Sequence, residues 1–219
     1  FSSLGMPSSV KGYYADFGVG RTGYTVIEAA KIGYQSVGVD VSFLGVQNAW
    51  RLAKNQKVES QTLFMVATLE RLPFKNSSFQ KVSSLSVLEH LEKDRQAIKE
   101  LCRVTKEKIF VVVPNTYRRV CFFLWPFYLF ADRKVGHLRH YSEEHLIEMF
   151  NKEHFIEGTI NYNGHIIKFV QLFLEKLLGK KFPKLWWWKM ENLDLKNKSK
   201  NGVQLNVSFK LKKDFLDRT

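Results

Sequence analysis

Apolar residues in the first half of the chain fall into short unbroken runs, separated by longer stretches where they recur every three or four positions. Tyr13–Phe17 is a short β-type run ending in glycines, and Thr22–Lys31 follows with helical spacing. Ser36–Asp40 (SVGVD) predicts a second buried strand, and the stretch from Phe43 to about Lys54 a second helix. Thr62–Val66 and Lys81–Leu85 predict strands three and four. Leu88, Leu91, Ile98, Leu101 and Cys102 share one face of a further helix, leaving Lys93, Asp94, Lys99 and Glu100 on its surface. Lys108–Val113 (KIFVVV) lacks polar alternation, which predicts a fifth strand buried on both faces. Strands alternating with helices imply an α/β architecture: a mainly parallel, doubly wound sheet covered on both sides.

Beyond residue 115 the alternation breaks. Residues 116–140 are irregular and rich in aromatics, and Ser142 then opens a helix with Glu143 and Glu144 in its first turn, where a capping hydroxyl and negative charge both stabilise a helix start. His154–Ile160 and Val203–Leu211 predict two last strands, with an apolar helix over Ile166–Leu178 between them. The lysine- and asparagine-rich stretch 196–202 predicts a loop. A chain of 219 residues accommodates one well-buried domain, so residues 1–219 are expected to form a single unit with an inserted lid at about 116–140.

Composition narrows the classes. A hydrophobic share of 45% and an aromatic share of 14% exclude a disordered chain. Cys102 and Cys121 give neither a disulfide framework nor metal-ligand spacing, which suits a reducing, cytoplasmic setting. No charged-then-apolar leader precedes the first motif, so no signal peptide is expected. The net charge of +13 is concentrated late: residues 176–213 hold 11 lysines against Glu191 and Asp194. A basic C-terminal part over 176–219 can attract nucleic acid, anionic lipid or a phosphorylated substrate, or simply form a solvated face.

The richest local signal is Asp16-Phe17-Gly18-Val19-Gly20-Arg21-Thr22-Gly23, between a strand and a helix, where backbone can approach a ligand closely. Asp40, at the end of the second strand and twenty residues past Gly20, can accept both hydroxyls of a ribose. These two features suit a nicotinamide dinucleotide and S-adenosylmethionine equally. The next segments separate them. Ala67–Phe74 (ATLERLPF), Asn76–Phe79 (NSSF) and Val82–Leu91 (VSSLSVLEHL) follow in a succession that resembles the class I S-adenosylmethionine-dependent methyltransferases, particularly the type 11 branch. The resemblance runs from residue 13 to about Val113-Pro114-Asn115 and resumes at Gly136–Tyr141 (GHLRHY).

That resemblance implies a Rossmann-like sheet of seven strands and methyl transfer from S-adenosylmethionine. It implies that Gly18 and Gly20 let the loop backbone reach the amino-acid part of the cofactor, with Asp16 supporting the turn and the cofactor ammonium. Asp40 would bind the ribose hydroxyls, Thr68 and Leu69 would flank the adenine, and Ser84 and Leu85 would line the path to the sulfonium. Two positions depart from the family pattern. Thr68 replaces an aspartate that usually meets the adenine, a weaker neutral partner, and Thr22 stands where some members have glycine, with Gly23 one step later.

An acceptor oxygen that must lose a proton needs a base. His90 is one candidate, with the alternative that Glu89 and His90 settle a helix start. Some quinone-biosynthesis relatives carry a metal here on an acid-x-x-Glu-His pattern. In this chain Ser86 replaces the first acid, so no metal is expected. His137, Arg139, His140 and Tyr141 form the second candidate group, facing the acceptor or else pinning the 116–140 segment to the domain. Val120–Ala131 (VCFFLWPFYLFA) is too short to cross a bilayer and is interrupted by Pro126. With Arg118, Arg119, Arg133 and Lys134 around it, and with Trp186–Trp188 among lysines, it suits a lid over a small or lipid-like acceptor, a peripheral contact with an anionic membrane, or plain core. Rival readings are an RNA-modifying or nucleic-acid-binding protein, a dinucleotide-dependent reductase, and a methyltransferase fold that binds cofactor without catalysis.

Overall fold

A computed structural model describes residues 11–116, 136–163, 179, 202 and 204–212. Seven strands lie in one sheet: β1 (Tyr13–Phe17), β2 (Gln35–Asp40), β3 (Thr62–Val66), β4 (Phe79–Leu85), β5 (Thr105–Pro114), β6 (Phe155–Asn163) and β7 (Gln204–Leu211). Their order is β3-β2-β1-β4-β5-β7-β6. The first five in that order are mutually parallel, and β7 is antiparallel to both β5 and β6. Strand order reverses between β1 and β4, and the crevice at the carboxyl ends of strands flanking such a reversal is where open α/β sheets bind ligands.

The helices are α1 (Tyr24–Lys31), α2 (Phe43–Asn55), α3 (Asp94–Val104) and α4 (Glu143–Asn151). Helix α2 starts where Ser42 Oγ accepts the Gly45 N–H at 3.1 Å, and α4 where Ser142 Oγ accepts the His145 N–H at 3.1 Å. Both are capping serines that satisfy a helix-start donor. Helix α4 packs on the sheet through Phe150, whose ring stacks on Phe209 of β7 with centroids 4.0 Å apart. The main core gathers Phe17, Val82, Leu101, Ile109, Val111, Leu146, Phe150 and Phe209 around β1, β4, β5 and β7. Cys102 is buried there, and burial pushes its thiol well above the usual range, so it is packing and not a nucleophile.

Several expected boundaries shift for local reasons. Helix α1 starts at Tyr24, because Gly23 is the cap and adopts a left-handed conformation (φ +56°) that a helix interior does not allow. The helix expected from Leu88 starts at Asp94. Leu88–His90 is instead a separate 3-10 turn, and Leu91 is extended (φ −89°, ψ 133°), so the chain turns off β4 before the helix begins. Strand β5 is longer than its apolar run and is not buried on both faces, since Phe110 is 38% exposed. The expected helix Ile166–Leu178, the apolar run Val120–Ala131, Trp186–Trp188 and the basic region apart from 179, 202 and 204–212 lie outside the described residues.

Candidate active site

The glycine turn leaves β1 held to β2: the Gly18 and Val19 N–H groups both donate to Val39 O, at 2.7 and 3.2 Å. Gly18 has φ +90°, and a Cβ built there would lie 2.1 Å from Val87 Cγ2. The turn therefore lies directly against the segment that follows β4. Gly20 (φ +58°) donates its N–H to Asp40 Oδ2 at 2.8 Å, while the Ser42 N–H donates to Asp40 Oδ1 at 2.9 Å. One carboxylate thus organises both the turn and the start of α2. Each oxygen, with one N–H bound, keeps acceptor capacity for a further hydroxyl. Gly23 serves packing: a Cβ there would come within 2.7 Å of Phe64 and 2.8 Å of Ala49, so the displaced third glycine lets α1 approach β3 and α2.

Asp16 is 3% exposed at the end of β1. Thr25 of α1 donates to one of its oxygens and Ser83 of β4 to the other. Because the Ser83 proton goes to Asp16, the Tyr14 hydroxyl is the donor in its 2.5 Å contact with Ser83 Oγ. Burial raises the Asp16 carboxyl above the usual range, against the pull of these two hydroxyl donors. Burial, then the charge of Asp16, likewise raises the Tyr14 phenol. Asp16 is thus placed as the tie that joins β1, α1 and β4 beneath the turn. Thr25, Ser83 and Tyr14 were not singled out by sequence reasoning, since isolated hydroxyls in strand and helix runs carry no pattern.

Thr68 is exposed beyond β3, while Leu69 is 6% exposed and packs in the main core, leaving only its backbone for an adenine. Arg103 and Glu100 of α3 hold this segment from below. Glu100 Oε2 accepts the Leu72 N–H at 2.7 Å, and Arg103 donates to Leu72 O, Phe74 O and Asn76 Oδ1 at 3.1, 2.7 and 3.1 Å. The Arg103 hydrogen bond is the main influence lowering the Glu100 carboxyl. Ser84 is 1% exposed and its Oγ has no hydrogen-bond partner among the described residues. Leu85 is half-buried, and Ser86 next to it takes a left-handed φ of +56°, a strained conformation for a residue with a Cβ, stabilised by its N–H bond to Val112 O at 2.8 Å.

The structure brings the three candidate histidines together. The His90 and His137 rings have centroids 4.9 Å apart, and those of His137 and His140 are 6.0 Å apart. Tyr141 lies in a different setting. It is fully buried, its hydroxyl donating to Asp94 Oδ2 at 2.9 Å and contacting Leu88 O at 3.2 Å, and burial followed by the Asp94 hydrogen bond pushes its phenol above the usual range. Here Tyr141, expected among the catalytic candidates, anchors the chain through Asp94 and Leu88. Arg139 joins it, with Nη1 2.8 Å from Asp94 Oδ2 and Nη2 3.2 Å from Glu92 O. The Tyr141 N–H donates to Pro114 O at 3.0 Å, and Tyr141 forms a parallel bridge with Asn115. Asp94, expected on the helix surface, is therefore the hub of this clamp.

Burial of Asp94 works against ionisation, but the hydrogen bonds from Arg139 and Tyr141 outweigh it and leave its pKa below the ordinary 3.8. The folded state then binds the proton less tightly than the unfolded chain. The clamp's contribution to stability is complete above about pH 4 and is lost as pH falls through the folded value. Urea midpoints should accordingly drop more steeply below pH 4 for the wild type than for Asp94→Asn. Equal slopes would show that Asp94 is not coupled to folding.

Residues 15–113 match the family model described as "Methyltransferase domain". That stretch runs from β1 into β5 and takes in the glycine turn and Asp40. Norajmaline N-methyltransferase of Rauvolfia serpentina is 32% identical over 98 residues, covering 45% of this chain and 34% of that protein, so the match spans about a third of its length. Magnesium protoporphyrin IX methyltransferase of Synechocystis PCC 6803, solved with bound S-adenosylhomocysteine, superposes with a TM-score of 0.63 at 15% identity, over 94% of this chain and 76% of that one. The [4+2]-cyclase SpnF superposes almost as well, with a TM-score of 0.62 at 17% identity, over 93% of this chain and 76% of its own. The chain thus shares its fold both with a methyltransferase and with a protein named for a different reaction, and the site has to carry the functional argument.

Proposed function

We propose that the protein transfers the methyl group of S-adenosylmethionine to a small-molecule acceptor. The observation that supports this most is one of coincidence. The matched segment 15–113 contains every cofactor candidate: Asp16, Gly18, Gly20, Asp40, Thr68, Leu69, Ser84 and Leu85. In this reading the Asp40 carboxylate receives the ribose hydroxyls, the exposed turn backbone at Gly18–Gly20 receives the amino-acid end, and Thr68 lies at the adenine edge. Methyl transfer is an in-line displacement, so the chain's main task is to align the acceptor with the methyl group and exclude water. His90, His137 and His140 lie beyond the end of β4, where an acceptor proton would be released, and an imidazole suits that task near neutral pH. The relatives named norajmaline N-methyltransferase and ajmaline N-methyltransferase favour a small acceptor over RNA; a lipid-like acceptor belongs to the same reading.

Calorimetric titration with S-adenosylmethionine, S-adenosylhomocysteine and NADH tests it. Binding of both adenosyl compounds near micromolar Kd, about −8 kcal/mol, with no heat from NADH is the expected result. Binding of NADH alone would replace the reading with a reductase.

A further inference from the structure

The Glu-His pair after β4 lacks the first acid that would complete a metal set within its own segment, because Ser86 stands there. The fold supplies a third donor from elsewhere. His137 comes in from the far side of the 116–140 segment, and Glu89, His90 and His137 each present a ligand atom, all within 4.8 Å of one another. His137 Nε2 lies 4.0 Å from Glu89 Oε1. Bonds of about 2 Å to a tetrahedral zinc ion place ligand atoms roughly 3.3 Å apart, so closing the set needs a movement on the order of 1 Å, within reach of imidazole rotation.

Two further features suit a built site. The two ligand-bearing segments are locked in register by backbone: the Leu138 N–H donates to Glu89 O at 2.8 Å, and the Asp94–Arg139–Tyr141 clamp holds the residues immediately after. His90 Nδ1 contacts Gly136 O at 3.1 Å. A carbonyl only accepts, so Nδ1 carries the hydrogen and Nε2 the lone pair, the outer contact that commonly orients a metal-binding histidine.

From this geometry we infer that Glu89, His90 and His137 form a binding site for a divalent transition metal ion of the zinc class. Two imidazoles and one carboxylate match such ions and not magnesium, which demands oxygen ligands. Three protein ligands leave a coordination position open, beside the carboxyl end of β4, where an acceptor oxygen or nitrogen can be held. The site shares none of the cofactor residues, so metal uptake can fail while cofactor binding stands; because it takes His90 and His137, it leaves His140 as the candidate base of the methyltransferase reading.

Untagged full-length protein, stripped with chelator and dialysed, should take up one equivalent of Zn²⁺ in competition with a chromophoric chelator, and none of Mg²⁺. His90→Gln, His137→Gln and Glu89→Gln should each weaken Zn²⁺ binding by at least about 100-fold, the upper end of what losing an outer-shell partner costs, whereas His154→Asn should leave it unchanged. Binding of S-adenosylmethionine by the same samples reports folding and the cofactor site separately. Zn²⁺ uptake that is absent from the wild type, or equal in the wild type and the His137→Gln variant, would overturn the site.

Discussion

Asp40→Ala should weaken binding of S-adenosylmethionine by at least about 100-fold, roughly 3 kcal/mol, in calorimetric titration. The size of the effect comes from two sources. The carboxylate is the candidate acceptor for both ribose hydroxyls, and hydrogen bonds to an ionised acceptor are each worth about 1.5–3 kcal/mol. The same carboxylate also holds the Gly20 and Ser42 N–H groups, at 2.8 and 2.9 Å, so its loss loosens the glycine turn itself. Asp40→Asn separates the two contributions. The amide keeps one acceptor oxygen, can hold one of the two N–H groups, and should fall between wild type and alanine. Unchanged affinity in Asp40→Ala would remove this residue from the ribose site.

Gly18→Ala is expected to cost about 3 kcal/mol of stability, from overpacking and backbone strain together. The new methyl would sit 2.1 Å from Val87 Cγ2, on a residue whose φ of +90° no side chain tolerates well. Urea unfolding of Gly18→Ala alone and combined with Val87→Ala distinguishes these causes. The double variant should recover the steric part and retain the strain. If Val87→Ala recovers nothing, the contact between the turn and the segment after β4 is not what makes glycine necessary.

Much of the fold was legible because its signals are local and repeated. The apolar runs at Tyr13–Phe17, Ser36–Asp40 and Thr62–Val66 became β1, β2 and β3 nearly residue for residue, and Ser142 capped its helix as its neighbours Glu143 and Glu144 suggested. Errors arose where a tertiary contact overrode the pattern. Leu88 and Leu91 keep helical spacing with Ile98, yet the chain must first turn at Ser86 and through Leu88–His90 before α3 can start. For the site, Asp40 and the glycines announced themselves by spacing. The ties Asp16–Thr25–Ser83 and Asp94–Arg139–Tyr141 span up to 67 positions and join ordinary polar residues, so only the fold reveals them. Tyr141 is a further case: its burial and its bond to Asp94 could not be read from its place beside His140.

The bridge between Asn115 and Tyr141 has a wider meaning. The chain departs from the sheet at Pro114–Asn115 and rejoins it beside the same two residues, with the Tyr141 N–H on Pro114 O at 3.0 Å. An excursion with both feet on one spot makes few demands on its own length, since doubling a flexible loop costs only about 0.6 kcal/mol in closure entropy. Changes confined to residues 117–135 would leave both feet and the Asp94 clamp, which includes Arg139, with their own residues.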